Sequence, residues 1–397
     1  MLGPGRGAVL PLVRSTAAGG QGVSDALREA GEEAMTLFHD DGQVKLLQGD
    51  VRAVLRDLPA DSVNCVVTSP PYWSLRDYGV EPSVWADGTR IALGLEPTPE
   101  LFVGHMVDVF REVRRVLRDD GVLFLNIGDS YASQGGQRAY GSFDGATGRG
   151  PQPERVGVPR GERNGRSDTA SPDSLKPKDL VGIPWMLAFA LRTDGWWLRQ
   201  DIIWSKPNPM PESVKDRCTK AHEYLFLLSK RERYWSDFGA IREPVSSDTH
   251  ARSRKLRATG NEASMPTKER NGVRPPGVGP KAAAANSGVR YNESFAAAVV
   301  DVLDDRNKRS VWHIPMAPFP EAHFATFPPA LVEPCILAGC PEGGTVLDPF
   351  VGSGTTAMVA RQLGRKAIGI DLNPEYLAMA VRRVGAQKTM FAVKGKR

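Results

Sequence analysis

Val346-Leu347-Asp348-Pro349-Phe350-Val351-Gly352-Ser353-Gly354-Thr355-Thr356, residues 346–356, reads as a buried strand that breaks into a glycine turn and restarts as a helix. The helix runs from Thr355 to Leu363, a second strand from Lys366 to Asp371, and a second helix from Pro374 to Val384. Alternation of this kind builds an α/β doubly wound, mostly parallel sheet. Glycine lets the backbone turn tightly and pass close to a ligand. The N–H groups that open the following helix favour an anionic group. Asp371 ends the next strand 17 residues beyond Gly354, where an acid can accept from a ribose diol. The turn therefore suits a nucleoside-bearing cofactor. A dinucleotide is the alternative occupant. It asks for a third glycine at position 357, where Ala357 is tolerated.

Upstream, Val44 to Asp50 reads as a strand ending at a polar rim, and Val51 to Leu58 has helical spacing. Val63-Asn64-Cys65-Val66-Val67-Thr68 is β-branched enough for a buried parallel strand. Phe102, Met106, Val109, Phe110, Val113 and Leu117 share one helix face. Gly121 to Ile127, Trp196 to Trp204 and Tyr224 to Ser229 read as strands, and Trp185 to Leu191 as a helix.

Three stretches lack core periodicity. Residues 1–35, rich in Gly and Ala, read as a flexible leader. Residues 134–178 read as a loop insertion in a catalytic domain spanning 36–244 and 310–390. Residues 245–290 carry Arg252, Arg254, Lys255, Arg257, Lys268, Arg270, Arg274 and Lys281.

The 397 residues are 41% hydrophobic with a formal net charge of +5, enough for a sizeable core and compatible with an anionic partner. Four cysteines without a Cys-x-x-Cys pair argue against a disulfide framework or a zinc site, and for a reducing cytoplasm. No apolar run is long enough to span a membrane. The scattered His222, His313 and His323 show no metal-ligand spacing, so no metal is expected.

Thr68-Ser69-Pro70-Pro71-Tyr72-Trp73 follows the second upstream strand, which must end there because neither proline donates to a ladder. Such a corner suits a planar amine. The lone pair of an aromatic amine is delocalised into its ring, and nitrogen must recover it to attack a methyl group. Two acceptors placed at its N–H bonds favour a pyramidal nitrogen and the positive charge that develops. The Ser69 hydroxyl and the Pro70 carbonyl can be those acceptors, Pro71 stiffens the corner, and Tyr72 can stack on the base. A plain Pro-Pro turn would look similar if it stood alone.

These motifs resemble those of the β group of DNA amino methyltransferases, in which the catalytic corner precedes the S-adenosylmethionine loop. The resemblance covers residues 44–130, 176–240 and 310–385. It includes Leu47-Gln48-Gly49-Asp50, Asp201-Ile202-Ile203-Trp204-Ser205-Lys206-Pro207-Asn208-Pro209 and His323-Phe324-Ala325-Thr326-Phe327-Pro328. It implies a circularly permuted Rossmann-like fold that binds S-adenosylmethionine through Asp348, Pro349, Phe350, Gly352, Ser353, Gly354 and Thr355. Asp371 would lie on the ribose, Asp50 near the adenine, and Phe327 at the border of the pocket. Serine at the head of the corner is similar to the enzymes that methylate cytosine N4; those acting on adenine N6 usually carry Asp or Asn.

The expected activity is methylation of cytosine N4 in double-stranded DNA, with adenine N6 as the alternative and a cognate restriction endonuclease as a functional partner. Trp73, Lys206, Arg252, Arg254, Lys255 and Arg257 are the candidate substrate and DNA contacts, and 245–309 the candidate target-recognition insertion. Pro334-Cys335 could in principle be a ring-carbon nucleophile, but its apolar neighbours place the thiol in a core. Two other classes remain: a methyltransferase of protein glutamine or asparagine amides, and a catalytically dead DNA-binding relative. The motif order and basic insertions argue against the first, the intact corner and loop against the second.

Overall fold

The computed structural model describes residues 35–75, 77–132, 175–244, 305–316 and 327–394. Arg252, Arg254, Lys255 and Arg257, the leader, and most of 134–178 and 245–309 lie outside the described residues.

The strands are β1 (Thr36–Asp40), β2 (Val44–Gln48), β3 (Val63–Thr68), β4 (Ser83–Val84), β5 (Arg90–Ile91), β6 (Leu117–Ile127), β7 (Trp197–Ser205), β8 (His222–Ser229), β9 (Glu243–Pro244), β10 (Asp305–Arg306), β11 (Val311–His313), β12 (Thr345–Asp348) and β13 (Lys366–Asp371). Among the described residues the helices are α1 (Val51–Asp57), α2 (Pro99–Val116), α3 (Ile183–Thr193), α4 (Pro329–Gly339), α5 (Thr355–Gln362) and α6 (Pro374–Lys394). Thr98 caps α2 by accepting from the Leu101 N–H at 3.2 Å, with Pro99 in the first turn. The expected face Phe102, Met106, Val109, Phe110 and Val113 is fully buried. Helix α6 runs past the expected Val384 and through Gly385, because one glycine costs only about 1 kcal/mol against alanine and does not by itself end a helix.

Among the described residues nine strands form one sheet in the order β1-β2-β13-β12-β3-β6-β8-β7-β11. The run from β2 to β6 is parallel throughout. Strand β8 pairs antiparallel with both β6 and β7, so the sheet is mixed on that side. One edge of the sheet thus collects the carboxyl ends of β2, β3, β6, β7, β12 and β13 and the start of β8. From β12 the chain moves to β13 on one side; from β3 it moves to β6 on the other. Loops that turn apart in this way open a crevice at the carboxyl edge, the usual ligand position in such sheets. The corner follows β3 and the glycine turn follows β12, so the two sequence motifs flank that crevice.

By internal packing the chain divides into residues 1–237 with 310–397, and residues 238–309. In the second unit β9 and β10 pair antiparallel. Arg242 meets Asp305 at 2.9 Å, and Glu243 takes Arg306 at 2.9 Å and Arg309 at 2.7 Å.

Candidate active site

The carboxyl edge of the sheet holds a cavity of about 380 Å³. Ser69, Pro70, Pro71 and Tyr72 form one wall, and Pro349, Phe350, Gly352, Ser353 and Thr355 another. Asp371, Asp50, Phe327 and Lys206 also face it. Residues more than 250 positions apart in sequence thus share one space.

Three expected site residues do not. Asp348 is 1% exposed and points between the strands. It accepts from Thr68 and Thr356 hydroxyls, both at 2.7 Å, and from the Phe350 N–H at 3.1 Å. Burial raises its carboxyl to about 6, against these hydrogen bonds, which act in the opposite direction. Its place is beneath the glycine turn. Gly354 has a φ of +81°, and a Cβ there would stand 2.6 Å from the Ala380 Cβ. It is glycine so that the turn can pass against α6. Trp73 packs partly buried against the core and donates its indole N–H to the Glu96 carbonyl at 2.8 Å. That hydrogen bond braces the segment after the corner, where a base-stacking ring would be needed on the cavity wall.

The glycine turn is held from β13. Asp371 accepts from the Gly352 N–H and the Asn373 N–H, each at 2.9 Å. Burial pushes its carboxyl up to about 6. The Gly352 N–H of the turn is thus already paired, while the carboxylate keeps further acceptor positions toward the cavity. At Gly352, φ +49°, a Cβ would meet only the Phe350 carbonyl, at 4.0 Å, so the space beside the turn is open. Arg383 of α6 donates to the Ser353 carbonyl at 2.9 Å and the Thr355 hydroxyl at 3.0 Å. An acceptor carboxylate, an open glycine turn and apolar walls from Phe350, Leu372 and Met379 fit an adenosyl sulfonium cofactor.

Asp50 caps α1, accepting from the Arg52 N–H at 2.9 Å, and takes the Arg52 guanidinium at 2.9 and 3.1 Å. Burial raises its carboxyl, but the Arg52 pairing outweighs this and holds it below the ordinary value. Arg52 lies 4.1 Å over Trp85, which stacks on His105 at 4.0 Å and 8°. His105 is gripped by Glu96 at 2.9 Å and Asp87 at 3.3 Å. This stack fixes Trp85 on the cavity wall beside Asp50.

At the corner, the Tyr72 hydroxyl meets Glu223 Oε2 at 2.7 Å, and the Ser69 hydroxyl meets Tyr72 at 3.2 Å. Asn126 Nδ2 donates to Glu223 at 3.2 Å and to the Tyr224 carbonyl at 3.1 Å. The Lys206 ammonium pairs with Glu223 Oε1 and sits 4.3 Å from the Trp204 ring. Burial, then the Glu223 charge, raises the Tyr72 phenol well above its ordinary value. Glu223 and Asn126 escaped the sequence reading. Asn126 carried a signal, a polar residue within the apolar run Val122 to Ile127. Glu223 precedes the expected strand and gave none.

Cys335 is fully buried outside the cavity, its thiol 3.1 Å from the Leu331 carbonyl. Among the described residues no three His, Cys, Asp or Glu form a metal-holding group, and no helix is long and apolar enough to cross a membrane.

Comparison with known proteins agrees with this architecture. The family model described as DNA methylase (N6/N4) matches residues 63–382. Type II methyltransferase M.Cfr9I of Citrobacter freundii is 42% identical over 344 residues, covering 87% of this chain and 88% of its own length. Type II methyltransferase M.SmaI of Serratia marcescens is 41% identical over 340 residues, covering 86% and 90%. The solved PvuII DNA methyltransferase (cytosine-N4-specific) superposes with a TM-score of 0.52 at 17% identity, covering 89% of this chain and 90% of that one, a likeness of fold. With a family match across most of its length and relatives above 40% identity over nearly all of theirs, the chain belongs to the N6/N4 DNA methylases and takes its methyl group from S-adenosylmethionine.

Proposed function

We propose that this enzyme methylates the exocyclic N4 amine of cytosine in duplex DNA. The supporting observation is the state of Ser69. Its hydroxyl lines the cavity 3.2 Å from the Tyr72 hydroxyl, where its oxygen can accept from an amine N–H. The target base must leave the helix stack to reach such a site.

Bound S-adenosylmethionine supplies an electrophilic methyl group on a sulfonium. Ser69 Oγ and the Pro70 carbonyl oxygen accept from the two amine N–H bonds, which turns the nitrogen lone pair out of conjugation and toward the methyl. Tyr72 and the rigid Pro70-Pro71 corner hold the base in line. As the N–C bond forms, the C–S bond would break with its electron pair returning to sulfur as a neutral thioether, and the positive charge passed to nitrogen would be stabilised by the same two acceptors until one proton departs to water. Asp371 would accept from the ribose hydroxyls of the cofactor, and Phe327 would border its pocket.

Residues 245–309, with Arg252, Arg254, Lys255 and Arg257, are proposed to hold the duplex through phosphate contacts. A restriction endonuclease of matching specificity is the proposed functional partner, as the Type II names of the relatives suggest. Adenine N6 is the second reading, because the family description covers both amines.

The test is incubation of varied unmodified duplexes with labelled S-adenosylmethionine, followed by digestion and nucleoside mass spectrometry. N4-methylcytosine is the expected product. N6-methyladenine would overturn the choice of base, and unlabelled DNA from cofactor-loaded enzyme would overturn the DNA reading.

A further inference from the structure

We infer that Glu223, acting through Tyr72, sets the hydrogen-bond polarity of the Ser69 hydroxyl and is thereby a positioning residue for the amine substrate. This rests on the function proposed above and adds a residue to it.

A phenol has one hydrogen to give. The Tyr72 oxygen stands 2.7 Å from Glu223 Oε2, 3.2 Å from Ser69 Oγ and 3.5 Å from Asn126 Oδ1. A carboxylate accepts only, and 2.7 Å is a full hydrogen bond where 3.5 Å is a marginal one. The phenol hydrogen therefore goes to Glu223. Tyr72 then faces Ser69 with lone pairs, and the Ser69 hydroxyl can only donate to it. A serine that has given away its hydrogen presents pure acceptor character to the cavity, as an amine N–H requires.

Glu223 is itself locked. Lys206 takes one of its oxygens, and Asn126 shares the other with Tyr72. Asn126 cannot turn its amide over without losing the Tyr224 carbonyl, which takes its second N–H at 3.1 Å. The Tyr72 ring is fixed against β6, where a Cβ on Gly128 would stand 2.6 Å from Tyr72 Cε2. Burial together with the Glu223 charge keeps the hydrogen on the phenol. Glu223 stands opposite Trp204 in the β7–β8 ladder, so the sheet register brings it under the corner.

Glu223→Gln replaces one acceptor oxygen by an N–H donor. That donor can turn to Tyr72 and reverse the chain, pointing a hydrogen into the amine site. The experiment uses the full-length enzyme, steady-state methyl transfer to duplex DNA, and calorimetry of S-adenosylmethionine binding. Glu223→Gln should lower kcat by about 10- to 100-fold. KM for DNA and Kd for the cofactor should stay within about twofold of wild type. Tyr72→Phe keeps the ring and removes the relay without touching the ion pair; it should lower kcat by about tenfold with the same unchanged constants. In the Tyr72→Phe background Glu223→Gln should add less than about a twofold effect, since residues on one path are not additive. Wild-type kcat in Tyr72→Phe, or an equal Glu223→Gln loss in both backgrounds, would overturn the relay. Ser69→Ala separates the two levels. Turnover retained in Ser69→Ala sinks the proposed amine site. Turnover lost there but kept in the relay variants sinks the relay alone.

Discussion

Thr68 and Asp348, 280 residues apart in sequence, are joined by a 2.7 Å hydrogen bond with both groups buried. Thr68 is the last residue before the Ser69-Pro70-Pro71-Tyr72 corner and Asp348 the last before the glycine turn. Thr356 closes the same carboxylate from the helix side at 2.7 Å. One buried acid therefore clamps the two halves of the site together.

That clamp has a pH signature. Burial raises the Asp348 carboxyl from 3.8 to about 6, so between those values the native state binds a proton the unfolded chain does not. Stability contributed by this group is present below pH 4 and lost as pH rises through 6. A two-unit shift is worth about 3 kcal/mol at most. Urea unfolding should show stability falling by about 1–3 kcal/mol from pH 4.5 to 7, with Asp371 adding in the same sense. Asp348→Asn should flatten the profile; an unchanged slope in that variant would remove Asp348 as its source.

Asp371→Ala should weaken S-adenosylmethionine binding by at least about tenfold in calorimetry. The variant loses both the proposed ribose acceptor and the partner of the Gly352 N–H. An unchanged Kd would take Asp371 out of the cofactor site.

The two glycines of the turn should separate by phenotype. Gly354→Ala drives a methyl group into Ala380 at 2.6 Å with φ at +81° and should cost about 1–3 kcal/mol of stability. Gly352→Ala meets no protein atom closer than 4.0 Å. It should cost only about 1 kcal/mol of stability, but its methyl enters the space assigned to the cofactor, and affinity should drop. Thermal melts alongside calorimetry distinguish them; the reverse pattern would contradict the assignment of open space to ligand.

Neutralising Arg252, Arg254, Lys255 and Arg257 should reduce both DNA affinity and its salt dependence. Four lost phosphate contacts would flatten the slope of log affinity against log salt by about 3 to 4. A slope equal to wild type would move duplex recognition elsewhere in the chain.

The fold and the two motifs were legible because buried parallel strands are continuous apolar runs, and because Pro70-Pro71 and Gly352-Ser353-Gly354 punctuate them. What the sequence could not reveal was direction and partnership. Strand β8 reads the same forward or reversed, so its antiparallel course, and with it the position of Glu223 beneath Tyr72, depends on pairing with β6 and β7. Asp348 and Gly354 lie beside the expected cofactor turn in sequence, yet one side chain points into the sheet and the other position is set by Ala380 of α6. Trp73, next to a stacking tyrosine, turns to the Glu96 carbonyl instead. In each case a non-local neighbour decides.

Single-turnover methyl transfer by Ser69→Ala, with cofactor affinity measured on the same sample, tests the amine site most directly. The expected result is a rate about 10²- to 10³-fold below wild type, the range for loss of one preorganised transition-state hydrogen-bonding group, with Kd for S-adenosylmethionine unchanged. A wild-type rate, or a rate loss fully matched by weaker cofactor binding, would contradict the role of Ser69 as the amine acceptor.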